Sequence, residues 1–144
     1  MKKLFVVVLI LFVANFLVAQ NNNAWNDLAD VTFKAEMNLE MGVEVEMPVF
    51  GPSAMALDGA VIRITGYIIP MDEGMNMEYM IFSAYPFAAC FFCGGAGPET
   101  VMEVYLEDPV NYTTKPITIE GRLELNHTDI NQLMYLLKDA KKVK

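Results

Sequence analysis

The sequence predicts a mostly β protein built around a small five-stranded antiparallel barrel, with an N-terminal arm and one or two short helices. Two observations predict this class. First, apolar and polar residues alternate along several consecutive segments, which is the period of a strand with one buried face. Second, glycine interrupts two of these segments, at Gly66 and at Gly121, as occurs where a barrel strand bends sharply.

The first residues have the three-part layout of a secretory signal peptide. Lys2 and Lys3 form a positive start, residues 4–18 are almost continuously apolar, and a polar segment follows Ala19. The apolar run is short for a membrane span, and no basic stop-transfer cluster follows it. We therefore expect residues 1–19 to be removed and the mature chain to be exported, either periplasmic or secreted, without a membrane span. An uncleaved anchor is the alternative.

The charge distribution excludes one class of partner. The chain carries a formal net charge of −8, and Arg63 is the only basic residue between Lys34 and Lys115. Because nucleic-acid binding depends on clustered Lys and Arg, we expect no nucleic-acid partner. Further lysines gather near the C-terminus, where we expect a solvated tail: Lys138, Lys141, Lys142 and Lys144.

Residues 20–57 are predicted to form the arm. Residues 25–28 have apolar side chains at helical spacing, and residues 31–33 are typical of a strand. Valine and methionine alternate with polar residues over 43–49, which indicates a second, half-buried strand. Pro48 lacks a backbone donor, so this strand is expected at a sheet edge.

Residues 58–144 are predicted to form the barrel domain. Its strand segments are residues 61–69, 77–83, 100–106 and 117–125. A hairpin loop over 71–75, a longer loop over 90–98 and a turn at Asp108-Pro109 are predicted to separate them.

The last segment of the barrel domain has two interpretations. Apolar residues at helical spacing favour a helix over residues 130–140, whereas residues 133, 135 and 137 alternate as in a strand. Closing a barrel requires one helical turn followed by a strand. The sequence leaves both possibilities open.

Several of these segments resemble known domains. Four strand segments together resemble small OB-fold domains. They are the strand from Gly59 to Gly66, the strand ending at Leu106, the pattern Ile117-x-Ile-x-Gly121-x-Leu and the final Tyr135-x-Leu-x-x-Ala140. Over roughly residues 25–140 the sequence also resembles an uncharacterised family of exported bacterial proteins that carry a domain of unknown function. The most specific element of that resemblance is Cys90-x-x-Cys93-Gly94-Gly95-x-Gly97-Pro98. The resemblance to this family implies an OB-like barrel and no particular chemistry.

The C-x-x-C loop holds both cysteines of the chain, Cys90 and Cys93. The run Gly94-Gly95-x-Gly97-Pro98 that follows does not propagate a helix. The loop therefore lacks the helix N-terminus that stabilises a thiolate in thioredoxin-like enzymes. Outside the cytosol we expect the pair to be disulfide-bonded or to bind a metal. Closing so short a loop by a disulfide contributes only about 2 kcal/mol.

A metal at this loop would be a soft one, zinc or copper. The cysteines supply half of a tetrahedral zinc site, and His127, the only histidine, is a candidate third ligand. Met75 and Met77 lie in an acidic loop and are candidate thioether ligands for Cu(I). A surface histidine and methionines that fill irregular core space are the competing interpretations. The predicted cofactor is therefore either absent or one of these two metals.

Aromatic residues around the cysteines give the predicted ligand face: Tyr85, Phe87, Phe91 and Phe92, together with Gly94, Gly95, Gly97 and Pro98. The sequence contains no nucleophile elbow, phosphate loop or zinc-protease motif. The predicted function is a non-enzymatic binding protein of the cell envelope, for a protein or a small ligand, whose C-x-x-C loop is disulfide-bonded or holds a soft metal. The alternative is a thiol–disulfide or metal-delivery protein in which the cysteines react.

Overall fold

The computed structural model describes residues 24–39, 41–71 and 77–143. The predicted signal peptide, residues 1–19, lies outside the described residues, as do Met75 and most of the predicted hairpin loop at 71–75.

The arm contains two short helices and a two-stranded sheet. Helix α1 is Ala24–Leu28, strands β1 and β2 are Val31–Asn38 and Val43–Phe50, and helix α2 is Pro52–Met55. The strands pair antiparallel with each other, from Val31 opposite Phe50 to Asn38 opposite Val43. The predicted helical turn and both predicted arm strands are confirmed, and Pro48 lies on a strand that pairs on one side only in the described part of the chain.

Five strands close into the predicted barrel. They are β3 (Val61–Ile69), β4 (Met77–Ser83), β5 (Val101–Val110), β6 (Ile117–Leu125) and β7 (Tyr135–Val143). The order around the barrel is β3-β4-β5-β7-β6. The mostly β, OB-like fold is thus confirmed.

One pair of barrel strands departs from the predicted antiparallel arrangement, since β5 and β7 run parallel. The reason is the position of β6, which pairs with β3 and sends the chain back along β7. Strand β7 is antiparallel to β6 and closes the barrel beside β5 in the same direction as β5.

Gly66 and Gly121 bring neighbouring strands close together. A Cβ at Gly66 would lie 2.4 Å from the carbonyl oxygen of Ser83, and one at Gly121 would lie 2.8 Å from the carbonyl oxygen of Lys138. Both distances are too short for any side chain, because the contacted atoms are backbone. The two glycines that interrupt the strand pattern therefore mark positions of close backbone approach, as expected.

Two local predictions, the turn at Asp108-Pro109 and the lysine tail, are wrong, and the alternative left open over 130–140 is settled in favour of a strand. Asp108-Pro109 does not turn the chain, because β5 continues to Val110. Its register against β4 shifts between Tyr79 and Met77, where a residue without an N–H is tolerated. The helix favoured by periodicity over 130–140 is absent, and a turn leads instead into β7, as closing a barrel requires. Lys138, Lys141 and Lys142 belong to β7 and not to a solvated tail.

The barrel interior and the arm share one hydrophobic cluster. Ala24 and Leu28 of α1, Phe50 of β2 and Ala54 of α2 pack together with the inward residues of the barrel strands. A second, smaller cluster lies on the opposite face of β3, β4 and β5, where Ile69, Ile81 and Val101 surround Cys90. Among the described residues, no helix has the length and apolar character needed to cross a membrane.

Candidate functional site

The loop between β4 and β5, residues 84–100, is called here the cysteine loop. It contains three short 3-10 turns, Phe87–Ala89, Phe91–Cys93 and Pro98–Thr100. Gly94 ends the middle turn in the left-handed region, with φ of 75°, which only glycine adopts without cost. A Cβ at Gly95 would lie 2.7 Å from the carbonyl oxygen of Ala89. These two glycines therefore fold the loop back onto itself.

The two cysteines occupy different environments. Cys90 is fully buried in the cluster on the outer face of the barrel, whereas Cys93 is exposed. The middle turn brings them together, since the N–H of Cys93 donates to the carbonyl oxygen of Cys90 at 3.1 Å. The pKa of the Cys93 thiol is raised, first by partial desolvation and then by the hydrogen bond and charge of Cys90. A raised pKa leaves a smaller fraction of this thiol as the reactive thiolate near neutral pH.

The predicted aromatic residues divide into one that anchors the loop and three that are exposed. Phe91 is half-buried against the cluster around Cys90 and meets the ring of Phe92 edge-on, with centroids 5.4 Å apart. Phe92, Phe87 and Tyr85 are exposed by 47%, 51% and 48%. The aromatic side chains of the cysteine loop therefore do not only fill the hydrophobic core, because three of the four are exposed to solvent.

A groove of about 580 Å³ runs between the arm and the barrel. We call it the arm–barrel groove. One wall is the arm sheet, with Phe33, Met41 and residues 45–48. The other wall is the β6–β7 loop, residues 126–134, and Phe91 and Pro98 of the cysteine loop join the lining. Two of the predicted ligand-face residues, Phe91 and Pro98, thus line the groove.

Asn126 shapes the β6–β7 loop, a role that the sequence did not suggest. Its side-chain nitrogen donates to the carbonyl oxygens of Asp129 at 2.7 Å and of Leu133 at 3.2 Å. Its side-chain oxygen accepts the N–H groups of Thr128 at 3.2 Å and of Asp129 at 2.9 Å. The available signal was the residue type itself, because asparagine side chains commonly bond to the backbone of tight turns.

Glu103 is a second residue that sequence reasoning missed. It is only 6% exposed, and its carboxylate accepts the Leu133 N–H and the Tyr105 hydroxyl, each at 2.7 Å. Gln132 donates to the same hydroxyl at 3.1 Å, and Lys138 lies 3.5 Å from the centroid of the Tyr105 ring. Burial, followed by the hydrogen bond and charge of Glu103, raises the pKa of Tyr105 to about 12. This cluster fastens the β6–β7 loop to the outer face of β5.

The candidate metal ligands are spread over different environments. His127 is exposed and meets Phe50 edge-on, with ring centroids 4.9 Å apart. Met77 is half-buried and packs against the barrel core, and Met75 lies outside the described residues. Within residues 24–39, 41–71 and 77–143, no three His, Cys, Asp or Glu side chains form a group that could hold a metal ion. The described structure therefore does not bring His127 to the cysteines as a third ligand.

Comparison with known proteins identifies a family. No curated protein shows significant similarity to this chain. The chain is similar to a solved DUF3299 family protein from Pseudomonas aeruginosa PAO1, with 18% identity and a TM-score of 0.46. The similarity covers 62% of this chain and 64% of that one. Residues 18–143 match the family model described as "Protein of unknown function (DUF3299)", and the chain belongs to that family.

Proposed function

We propose that this chain is an exported, non-enzymatic binding protein of the cell envelope, which holds its ligand in the arm–barrel groove. The observation behind the proposal is the groove itself. Its volume of about 580 Å³ lies in the range of ligand sites, and its lining is mostly apolar with a few polar groups. Export is supported by the signal-like layout of residues 1–19.

In this proposal Cys90 and Cys93 form a disulfide that fixes the shape of the cysteine loop. The two thiols lose two electrons and two protons to an external disulfide, which is reduced to two thiols. The 3-10 turn that joins the cysteines and the oxidising conditions outside the cytosol support the bond. Because Phe91 lies between the cysteines and lines the groove, the bond would hold one part of the groove wall in position.

The reactive-thiol alternative has less support. A nucleophilic cysteine needs a lowered pKa, whereas that of Cys93 is raised and Cys90 is buried. Zinc delivery would need ligands beyond the two cysteines, and among the described residues no group of three His, Cys, Asp or Glu side chains could supply them. A non-reactive disulfide is therefore the form of the loop that we propose.

The groove is tested with Nile red, a neutral apolar dye, titrated into the purified chain. We expect saturable fluorescence enhancement, a weaker affinity for Phe91→Ala, and an unchanged affinity for Phe92→Ala. This pair is matched, because Phe91 lines the groove and Phe92, its neighbour, does not. No saturable binding, or the same loss in both variants, would contradict a ligand site in this groove.

The disulfide is tested on the same chain recovered from an oxidising compartment. Mass spectrometry after thiol alkylation should show no alkylated cysteine before reduction and two after it. Metal analysis of the same sample should find neither zinc nor copper in stoichiometric amount. Alkylation without prior reduction, or bound metal that Cys90→Ser removes, would overturn this part of the proposal.

A further inference from the structure

We infer that the ligand of the arm–barrel groove is an extended polypeptide segment that adds as a third strand to the free edge of β2. The segment is apolar at alternate positions and carries basic side chains. This inference rests on the proposed function, because it names the class of ligand for the same groove.

The lining of the groove shows that the edge of β2 forms its wall. Residues 45–48 are consecutive, and all of them line the groove. Successive side chains of a strand point to opposite faces of the sheet, so a cleft on one face would be lined by every second residue only. Four lining residues in a row therefore place the edge of β2 in the wall, and Phe33, which lies opposite Pro48 on β1, shows that the groove also extends over that face of the arm sheet.

That edge is available for pairing. In the described part of the chain β2 pairs with β1 alone, and the two strands form a separate sheet outside the barrel. Alternate backbone groups of β2 consequently point away from β1, which is the template that strand addition uses. Pro48 has no N–H to offer, so the ladder with an added strand would end there.

The arm sheet joins the shared hydrophobic cluster only at one end, through Val31 and Phe50. A two-stranded sheet is marginally stable alone and gains stability from further strands or packing. Several of its apolar side chains are exposed, among them Phe33 by 40%, Val43 by 49% and Val49 by 49%. A third strand would supply both backbone partners and apolar contacts.

The opposite wall of the groove fits the side chains of an extended segment. Phe91, Leu133 and Ile130 offer apolar surface there, and Leu133 and Phe91 are held from behind by the cluster around Cys90. Four residues of strand span about 13 Å, so the groove would hold a segment of roughly four or five residues. Main-chain bonds to β2 would give affinity, and these apolar contacts would select every second side chain.

The charge of the site favours a basic segment. Glu46 and Asp129 line the groove, its lining contains no Lys or Arg, and the chain has a formal net charge of −8. Complementary charge speeds association and disfavours acidic partners.

The test uses the heptapeptide Lys-Val-Lys-Val-Lys-Val-Lys, capped at both ends, with affinity measured by calorimetry at moderate salt. A second peptide carries N-methyl groups on its valines, and a third carries them on its inner lysines. Both keep the charge and side chains of the parent but lose the N–H groups of one strand edge. We expect the parent peptide to bind. The peptide whose N-methyl groups face β2 should bind about tenfold more weakly, because its N–H groups can no longer donate to the backbone of β2.

Two matched variants of the chain test the position. Glu46→Lys should weaken binding of the parent peptide by about threefold to tenfold, whereas Glu44→Lys should leave it nearly unchanged. Both residues are exposed on β2 and change the net charge equally, but only Glu46 lines the groove. Equal effects of the two substitutions would assign the binding to general charge attraction and overturn the inference.

The remaining outcomes separate this inference from the proposed function. Nile red binding without peptide binding, or equal binding of the parent and both N-methyl peptides, overturns strand addition and leaves the groove as a ligand site. Absence of both dye and peptide binding contradicts the proposed function itself. A dimer of the chain that the peptide dissociates would identify a second copy as the occupant and overturn the inference of a foreign segment.

Discussion

Cys90 and Cys93 differ in burial although only two residues separate them. Cys90 packs with Ile69 and Val101 on the outer face of the barrel, and Cys93 faces solvent. Reaction of a free pair with small reagents would therefore begin at Cys93. Cys93 is the more accessible thiol, but its pKa is raised. A stable disulfide therefore fits this loop better than a site of thiol–disulfide exchange.

The first prediction concerns the reduced chain. Because the pKa of Cys93 is raised, the fraction of thiolate at pH 7 is smaller than that of an ordinary cysteine, and it grows only as the pH rises through the higher value. Alkylation of Cys93 by iodoacetamide should therefore be slower at pH 7 than alkylation of the urea-unfolded chain, and should still accelerate above pH 9. Mass spectrometry of timed samples measures both rates. A folded chain that reacts faster at pH 7 would point to an activated thiolate and favour the reactive-thiol alternative.

The residues of the site were predictable to different degrees. The cysteines, their glycines and Phe91 could be found because unusual residue types are concentrated in one short run. Glu103 could not, because its burial depends on the β6–β7 loop covering the outer face of β5. No local pattern in the sequence carries that information.

At the scale of elements, strand alternation was a reliable guide where one face of a strand is buried. Strand β6 alternates buried and more exposed residues from Ile117 to Leu125, and its predicted bounds agree with the structure. The start of β7 was harder to predict. The helical spacing over 130–140 combines a loop with a strand, because Ile130 is 40% exposed in the loop whereas Leu137 is buried in β7. Hydrogen bonds that join Leu133 to Asn126 within the loop and to Glu103 on β5 hold the loop out of a helix, and Glu103 belongs to another element of the barrel.

The second prediction tests how Glu103 fastens the β6–β7 loop. Glu103→Gln keeps the shape of the side chain but leaves one oxygen where two accept hydrogen bonds, from Leu133 and from Tyr105. We expect the free energy of unfolding to fall by about 1–3 kcal/mol, as for a buried hydrogen bond to a charged group. The amide of Leu133 should also exchange with solvent faster.

Urea unfolding and hydrogen exchange measure the two effects of this substitution. Glu107→Gln is the control, because Glu107 lies on the same strand but is exposed, and it should leave both quantities nearly unchanged. Equal stability of the two variants would show that Glu103 does not hold the loop.

At the scale of the whole molecule, several basic side chains of the described residues lie beside acidic or aromatic partners. Arg63 and Lys141 both approach Glu120, at 2.7 Å and 3.8 Å, and Lys138 covers the ring of Tyr105. The lysines expected on a tail are instead spread along β7, where acidic and aromatic neighbours engage two of them.

The arm and the barrel depend on each other, since α1 packs into the hydrophobic cluster of the barrel. Leu28 is fully buried, its carbonyl oxygen accepts the hydroxyl of Tyr135 on β7, and Trp25 donates to the carbonyl oxygen of Thr65 on β3 at 2.9 Å. Because these contacts join residues far apart in sequence, they could not be predicted from local patterns, which separated an arm from a barrel domain.

The third prediction follows from this shared core. Leu28→Ala removes a fully buried side chain and should lower the free energy of unfolding by about 2–5 kcal/mol. Leu39→Ala, in a turn where the side chain is 89% exposed, is the matched control and should change the free energy of unfolding by less than about 0.5 kcal/mol.

Urea unfolding is followed by two probes. The fluorescence of Trp25, the only tryptophan, reports on the contact between arm and barrel, and circular dichroism reports on the strands. The two probes should give coincident transitions in both variants, because one hydrophobic cluster spans arm and barrel. A fluorescence transition that precedes the dichroism change in Leu28→Ala would mean that the arm unfolds on its own, and that the barrel is a separate folding unit.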